Sequence, residues 1–239
     1  MIVEILVALE VISGLTFVGL AIMFLRKKVN ALLNQLMCLS TFIIGISFLF
    51  DSIPLLIRNA ALYAFTTYIS AFTLGISIAC FFLASITLVK GEYTAKNPIY
   101  FVPLLGVSLI PGGVTLLTQS VQIESATIWG ESILVSSWGE IGDLLILGVF
   151  ILFFFGSLYY FYTVYPKVEG VVKTRLAYFL IGMLFLGVST VIVSVLYVIM
   201  KDSILGLLIS LVGTYGAVAG GALIIIYGFM KPDPLSNGS

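Results

Sequence analysis

The chain has 239 residues, of which 61% are hydrophobic and only 9% are charged, whereas about 25% of the residues in a soluble domain are charged. Eleven basic and eleven acidic residues give a net charge of zero, which excludes the positive surface that nucleic-acid binding needs. The high hydrophobic content predicts an all-α integral membrane protein. Histidine, the commonest metal ligand, is absent, so we predict no cofactor and no metal site.

Seven apolar stretches are long enough to be transmembrane helices, since a helix needs about 20 apolar residues to cross about 30 Å of hydrocarbon. The predicted spans lie at 4–25, 31–50, 63–89, 98–118, 141–164, 176–199 and 204–229. They predict a seven-helix transmembrane domain over residues 1–231, with an extracellular loop at about 119–140 and a short cytoplasmic tail at 232–239. The acids in the opening MIVEILVALE argue against a cleaved signal peptide.

The distribution of basic residues predicts the orientation, because positive side chains collect in short cytoplasmic loops. One side of the membrane holds nine of them: Arg26, Lys27, Lys28, Lys90, Lys96, Lys167, Lys173, Arg175 and Lys231. The other side holds Arg58 and Lys201. We therefore expect a multi-pass protein of the cell membrane with its N-terminus outside, its C-terminus in the cytoplasm and an acidic outer surface.

Glu10 is the clearest ionisable residue within a span. It follows Glu4 by six residues and so lies about 9 Å deeper along a helix. A carboxyl group in a membrane segment is costly, which makes it a candidate functional residue. Two interpretations stay open: Glu10 faces a water-filled cavity or a neighbouring helix as part of a ligand or ion pathway, or it is a protonated or solvated group near the outer interface.

Further charged residues are expected near the outer ends of the second, third and fifth spans. Asp51 and Arg58 lie between the second and third spans, where Arg58 could pair with Asp51 or with the acidic loop. Glu140 and Asp143 share one face at a helix N-terminus, where carboxylates complement the helix dipole. Capping is a sufficient explanation for that pair. The alternative is an acidic vestibule that, together with Glu10, attracts cations or an amine ligand.

The one substantial loop, residues 118–143, precedes the fifth span. Its partly alternating residues before Trp129 and the run Ser132 to Ser136 predict a short β-hairpin that turns at residues 129–131. Trp129 and Trp138 are predicted on the loop surface. The hairpin is interpreted either as a lid or partner surface, or as an ordered cap that shields the helix ends.

The seventh span has a face of small residues. They recur at spacings of four, three, four and three residues: Gly206, Ser210, Gly213, Ala217 and Gly220. Small residues let helix backbones approach closely in lipid, so we predict helix packing here. A sliding surface for a conformational switch and a dimer seam are the alternatives.

The stretch KTRLAYFLIG at 173–182 enters the sixth span. Together with the seven helices, an outer N-terminus and a longer outer loop with tryptophans, this stretch makes the chain resemble the N-terminal seven-helix sensor region of some bacterial and archaeal histidine kinases. Lys173, Tyr178 and Gly182 match that family's pattern, whereas Arg175 and Thr174 depart from it. In the family a helix leads on to kinase domains, but Pro232 and Pro234 discourage helix continuation here. The resemblance implies sensing or signal coupling through a separate protein.

The preferred hypothesis is a non-enzymatic receptor-like module or subunit in the lipid bilayer, acting with a separate membrane or cytoplasmic protein or as a homo-oligomer. No catalytic residue is proposed, because the sequence has no GxSxG nucleophile motif and no Walker phosphate loop. No lysine lies at the centre of a span, which argues against a retinal Schiff base. The alternative is a transporter or channel for a small solute or cation.

Overall fold

The computed structural model describes residues 2–27, 31–128, 131–200 and 204–230, which are mainly helical. The helices are α1 Ile2–Lys27, α2 Leu32–Ile57, α3 Ala60–Lys90, α4 Glu92–Lys96, α5 Pro98–Thr118, α6 Gly139–Phe150, α7 Gly156–Val164, α8 Gly170–Met200 and α9 Ile204–Met230. A π-helical turn at Ile151–Phe155 joins α6 and α7 into one long helix. Within the described ranges seven helices are long and apolar enough to span a membrane, which confirms the predicted all-α seven-helix architecture.

The second spanning helix is longer than the sequence predicts. It was expected to end at residue 50, but α2 continues through Asp51 and Pro54 to Ile57. The chain then leaves the helix at Arg58, which adopts the left-handed conformation with φ 53° and donates its backbone N–H to the carbonyl of Leu55. Asp51 therefore lies about 9 Å inside the helix end, not just beyond the span.

The spanning helices form a closed bundle with α3 at its centre. Consecutive spanning helices pack together and α1 also packs against α9, while α3 contacts α2, α5 and α7. In α3, 61% of the residues in its apolar stretch are buried inside the protein, whereas the share is 28–39% in the other spanning helices. Small side chains let its neighbours approach; among its buried residues are Ala71, Gly75, Ser77, Ala79, Ala84 and Ser85.

Two reciprocal glycine pairs mark close helix approaches. A Cβ atom on Gly14 of α1 would lie 2.8 Å from the carbonyl oxygen of Gly45 of α2, and a Cβ on Gly45 would lie 2.8 Å from the carbonyl oxygen of Gly14. Gly182 of α8 and Gly221 of α9 have the same relation, at 2.6 and 2.7 Å. Small residues at helix contacts are how backbones pack in a membrane, and neither pair leaves room for a side chain.

An aromatic cluster fills the middle of the bundle. Phe154, in the π-helical turn, stacks on Phe81 of α3 with ring centroids 5.5 Å apart and on Phe150 at 4.6 Å. Phe81 also stacks on Phe161 at 5.7 Å. The ring of Phe154 lies against Gly187 of α8 where a larger residue would overlap it. The cluster thus joins α3, α6, α7 and α8.

The loop between α5 and α6 contains an antiparallel hairpin of strands β1 Gln122–Ile128 and β2 Glu131–Ser137. Gln122 pairs with Ser137 and Ile128 with Glu131; Trp129 and Gly130, in the predicted turn, lie outside the described residues. The strands pack on α3, and β2 also packs on α1. We call this end of the bundle the hairpin end, and the opposite end, which carries Arg26, Lys90, Lys96, Lys167 and Lys173, the basic end. Which end is extracellular stays a prediction.

Candidate functional site

Glu10 of α1 is buried at the contact with α9. Its side chain is 1% exposed, and its Oε1 atom accepts a hydrogen bond from the hydroxyl of Tyr215 in α9. One turn further along α1, the Ser13 hydroxyl donates to the backbone carbonyl of Tyr215 at 3.3 Å. Phe48 of α2 packs edge-on against the Tyr215 ring, with centroids 5.9 Å apart. Polar contacts therefore connect the first helix to the last.

Asp51 of α2 makes its side-chain contact with α3. Its Oδ2 atom accepts a hydrogen bond of 2.7 Å from the Ser70 hydroxyl. The pairing with Arg58 that the sequence suggested is not among its contacts in the described part of the chain. Arg58 is exposed and instead lines a shallow cleft against Ser132 and Ile133 of β2.

Tyr63 of α3 links these carboxyl groups to the hairpin. The side chain is buried, its hydroxyl lies near the Ser136 side chain of β2, and it lies in the electrostatic field of both Glu10 and Asp51. We call Glu10, Asp51, Tyr63, Ser70 and Tyr215 the buried carboxyl network. It draws residues from α1, α2, α3 and α9, directly beneath the hairpin.

Sequence reasoning singled out both carboxyls of this network but missed its hydroxyls. A signal was present, because Tyr63, Thr66, Thr67 and Ser70 recur at positions i, i+3, i+4 and i+7 of an otherwise apolar span. That spacing places them on one face of a helix. Tyr215 offered no comparable signal, since it lies among small and apolar residues whose helical rotation the sequence does not determine.

Tyr215 bonds one oxygen of Glu10 and Ser70 bonds one oxygen of Asp51, and the Thr66 hydroxyl, which donates to the Tyr63 carbonyl, also lies beside the Asp51 carboxyl. Glu10 Oε2 and Asp51 Oδ1 are buried and have no hydrogen-bond partner within the described structure. The two carboxyl groups also interact electrostatically with each other. Buried acceptors without partners are uncommon in native proteins because each costs free energy. These two oxygens are thus the chemically available atoms of the site.

Trp138, which follows β2 directly and was predicted on the loop surface, is half-buried and ties the hairpin to α3. Its indole N–H donates to the backbone carbonyl of Thr67 in α3 at 3.0 Å, and its backbone carbonyl accepts from the Ser120 hydroxyl at 2.7 Å. Asp143 Oδ1 accepts from the backbone N–H of Trp138 at 3.2 Å, so Asp143 stabilises the start of α6. The side-chain surroundings of Glu140 lie outside the described structure.

Beyond the network, the contact between α2 and α3 continues with two hydroxyl pairs, Ser47 with Thr73 at 2.7 Å and then Ser40 with Ser77 in the middle of the bundle. A cavity of about 50 Å³ lies there, lined mainly by apolar side chains such as Phe17, Phe81 and Phe154. Its only polar lining residues are Ser40, Thr41 and Ser77. The Ser40 and Ser77 hydroxyls are 3.0 Å apart, and Thr41 donates to the carbonyl of Met37 at 2.8 Å, so these hydroxyls already have partners.

The small-residue face of α9 lies partly against α8 of the same chain. Cβ atoms on Gly213 and Gly220 would lie 3.0 Å from Val193 and 3.2 Å from Phe185. Ala217 is buried, and Gly206 approaches the backbone of Met200. The side chain of Ser210 lies outside the described structure. Gly221, at which an added Cβ would lie 2.7 Å from the Gly182 carbonyl oxygen, also belongs to this contact and was not part of the predicted face.

The basic end has its own polar contacts. Glu92 Oε1 accepts a hydrogen bond of 3.0 Å from the backbone N–H of Leu32, at the start of α2. That hydrogen bond, together with Lys96 Nζ at 3.4 Å from Oε2, lowers the pKa of the Glu92 carboxyl below its usual value. Glu92 thus ties the short helix α4 to α2.

Among the described residues, no group of three or more histidine, cysteine, aspartate and glutamate side chains is arranged to hold a metal ion. Cys38 and Cys80 are free thiols. The family models give no match to this chain, and no curated protein is significantly similar to it. The functional argument therefore depends on the geometry of the buried carboxyl network.

Proposed function

We propose that this polytopic membrane protein is a non-enzymatic, receptor-like module that couples the state of its hairpin to a separate partner protein. The observation that carries the proposal is the position of Tyr63, whose hydroxyl lies near Ser136 of the hairpin and in the electrostatic field of Glu10 and Asp51, together with the hydrogen bond from Tyr215 to Glu10. This network gives a polar connection between the hairpin and the first and last helices of the described bundle.

The connection suits signal coupling because few bonds hold it. Tyr63 lies near Ser136 of the hairpin, Glu10 accepts from the Tyr215 hydroxyl, and Asp51 accepts from Ser70 with the Thr66 hydroxyl beside it. A shift of β2 would move the Tyr63 hydroxyl and change the field at both carboxyls. Helices α1 and α9 are 26 and 27 residues long, about 40 Å, and run to the basic end, where a cytoplasmic partner is expected.

Cation transport is the second candidate, and the free oxygens of Glu10 and Asp51 favour it. The middle of the bundle supports it less. A transport pathway needs polar or water-filled surroundings across the hydrocarbon, whereas the cavity beyond the network is lined mainly by aromatic and aliphatic side chains, and its three hydroxyls are bonded within the protein. The geometry therefore supports coupling better than passage.

Coupling is testable by distances at the basic end. Spin labels at Tyr93 and Met230, both exposed, would be placed in the full chain after Cys38→Ala and Cys80→Ala. Tyr63→Phe removes the hydroxyl that reaches Ser136, and Glu124→Gln is the matched control on an exposed hairpin carboxyl. We expect Y63F, and not E124Q, to change the distribution of distances between the labels in nanodiscs. Identical distributions in all variants would overturn the proposal.

Coupling to a partner protein and cation transport need separate assays. A photo-crosslinking residue at Tyr93 should capture a protein in native membranes with a yield that changes in Y63F and not in E124Q. Cation flux into proteoliposomes that is lost in Glu10→Gln would support transport and count against a coupling module.

A further inference from the structure

We infer that the carboxyl pair of Glu10 and Asp51 binds one small monovalent cation, a proton or Na⁺, inside the bundle. The inference names a ligand for the network on which the proposed function depends. It starts from the two buried oxygens without partners, Glu10 Oε2 and Asp51 Oδ1. An ionised carboxylate oxygen can only accept, so whatever satisfies it must be a donor or a cation.

Both free oxygens belong to carboxyl groups whose orientation is already fixed. Tyr215 holds Glu10 through Oε1, and Ser70 holds Asp51 through Oδ2. The second oxygen of each group is therefore left for a ligand. The two groups belong to one contact region, because Phe48, which lies three residues before Asp51 in α2, packs on the Tyr215 ring whose hydroxyl bonds Glu10. A single cation between them would satisfy both oxygens and reduce the repulsion between the groups.

The groups that face the pair supply no positive charge. The hydroxyls of Tyr63, Thr66 and Ser70 come from α3 and that of Tyr215 from α9, and Ser136 of β2 lies near the Tyr63 hydroxyl. Arg58, the nearest basic residue along the chain, is exposed and lies in the cleft against β2. A buried anion without a counter-charge is strongly unfavourable, so the pair needs a cation that this part of the chain does not provide.

The small number of acids at the site favours a small monovalent ion. Calcium takes about six to eight oxygen ligands, and the described residues contain no group of three metal-binding side chains around the pair.

The test is thermal unfolding of the full chain in nanodiscs at constant ionic strength. NaCl is compared with N-methyl-D-glucamine chloride, whose organic cation is much larger than Na⁺, at pH 8 and pH 5.5. The variants are Glu10→Gln and Asp51→Asn, and Glu124→Gln is the control. A ligand that binds only the folded state raises its stability by mass action, and for a chain of this size we expect a Tm rise of about 2–4 °C.

A rise with Na⁺ at pH 8 in the wild type and in E124Q, lost in both E10Q and D51N, identifies Na⁺ as the ligand. A rise at pH 5.5 with no effect of Na⁺, again lost in both variants, identifies the proton. The inference is overturned if the wild type and the two variants respond alike to both cations.

A second measurement covers variants that fail to fold. Infrared difference spectra of the wild-type protein should show a change in a carboxyl band when Na⁺ replaces N-methyl-D-glucamine, or when the pH falls from 8 to 5.5. An unchanged carboxyl region under both exchanges contradicts the inference. A cation response without any change in the Tyr93–Met230 distances in Y63F would refute the proposed coupling and leave the cation site standing.

Discussion

The hairpin end and the middle of the bundle are held together in different ways, and α3 takes part in both. At the hairpin end, Tyr63 and Ser70 of α3 join a network of hydroxyls and carboxyls that reaches four helices. In the middle, Phe81 of the same helix stacks within an aromatic cluster. Stacked rings have one stable arrangement, whereas a carboxyl network changes when a proton or ion enters. The middle of the bundle thus maintains the fold, whereas the hairpin end contains the groups that are proposed to respond to a ligand.

The largest expected effect is in the aromatic cluster. Phe154→Ala removes a buried ring that contacts Phe81 and Phe150 and should reduce the free energy of unfolding by about 3–5 kcal/mol. Phe65→Ala is the control, because that ring is 60% exposed on the bundle surface and its loss should cost far less. Titration with a denaturing detergent measures both. A small loss in F154A would mean that the middle is not the stabilising region.

The glycine contacts come next. Gly14→Ala forces a Cβ atom to within 2.8 Å of the Gly45 carbonyl oxygen, and overpacking of this kind costs about 1–3 kcal/mol. Gly19→Ala is the control in the same helix, since a Cβ there meets no atom within 4 Å, and it should be neutral or stabilising by up to about 1 kcal/mol. The same titration compares them. Equal stability would show that α1 and α2 can separate without loss.

Tyr215→Phe tests the hairpin end. It removes the donor to Glu10 Oε1, and leaving a buried acceptor unsatisfied costs about 1–3 kcal/mol. Tyr227→Phe is the control, because that ring is exposed and packs on Tyr178 without help from its hydroxyl. The cation-dependent rise in Tm should also change in Y215F and not in Y227F. If the cation-dependent rise in Tm is the same in Y215F and in the wild type, Tyr215 does not take part in the network.

A smaller effect is expected at the hairpin anchor. Trp138→Phe removes the hydrogen bond to the Thr67 carbonyl and should cost about 0.5–1.5 kcal/mol. Amide hydrogen exchange should become faster in β1 and β2 while the exchange of α8 stays the same. Uniformly faster exchange across the bundle would mean that Trp138 supports the whole fold and is not a local anchor.

The smallest effect is expected at Glu92, outside the network. Its pKa is lowered by the hydrogen bond from the Leu32 N–H, so this contact stabilises the folded chain above the ordinary pKa of the carboxyl. The contribution is lost as the pH falls through the lowered value. Tm should therefore fall slightly less in Glu92→Gln than in the wild type between pH 5 and pH 3. An equal fall of Tm in both proteins would show that the Glu92 carboxylate does not stabilise the folded chain.

The sequence predicts the seven spans because length and apolarity determine them, and it indicates Glu10 because a carboxyl in a span is rare. It does not predict that α2 continues beyond Asp51, since the Ser70 hydroxyl that makes this possible lies on another helix. The Glu10–Tyr215 contact also depends on helix rotation. The close pair Gly182 and Gly221 could not be predicted either, because several other glycines in the spans are at positions where an added Cβ would meet no atom within 4 Å.

The most direct test of the account is the distance distribution between labels at Tyr93 and Met230 in the wild type, Tyr63→Phe and Glu124→Gln. The account predicts that loss of one buried hydroxyl near the hairpin changes the distribution at the basic end, whereas loss of an exposed carboxyl in the hairpin leaves it unchanged. Superimposable distributions for all three proteins would contradict coupling between the hairpin and the basic end.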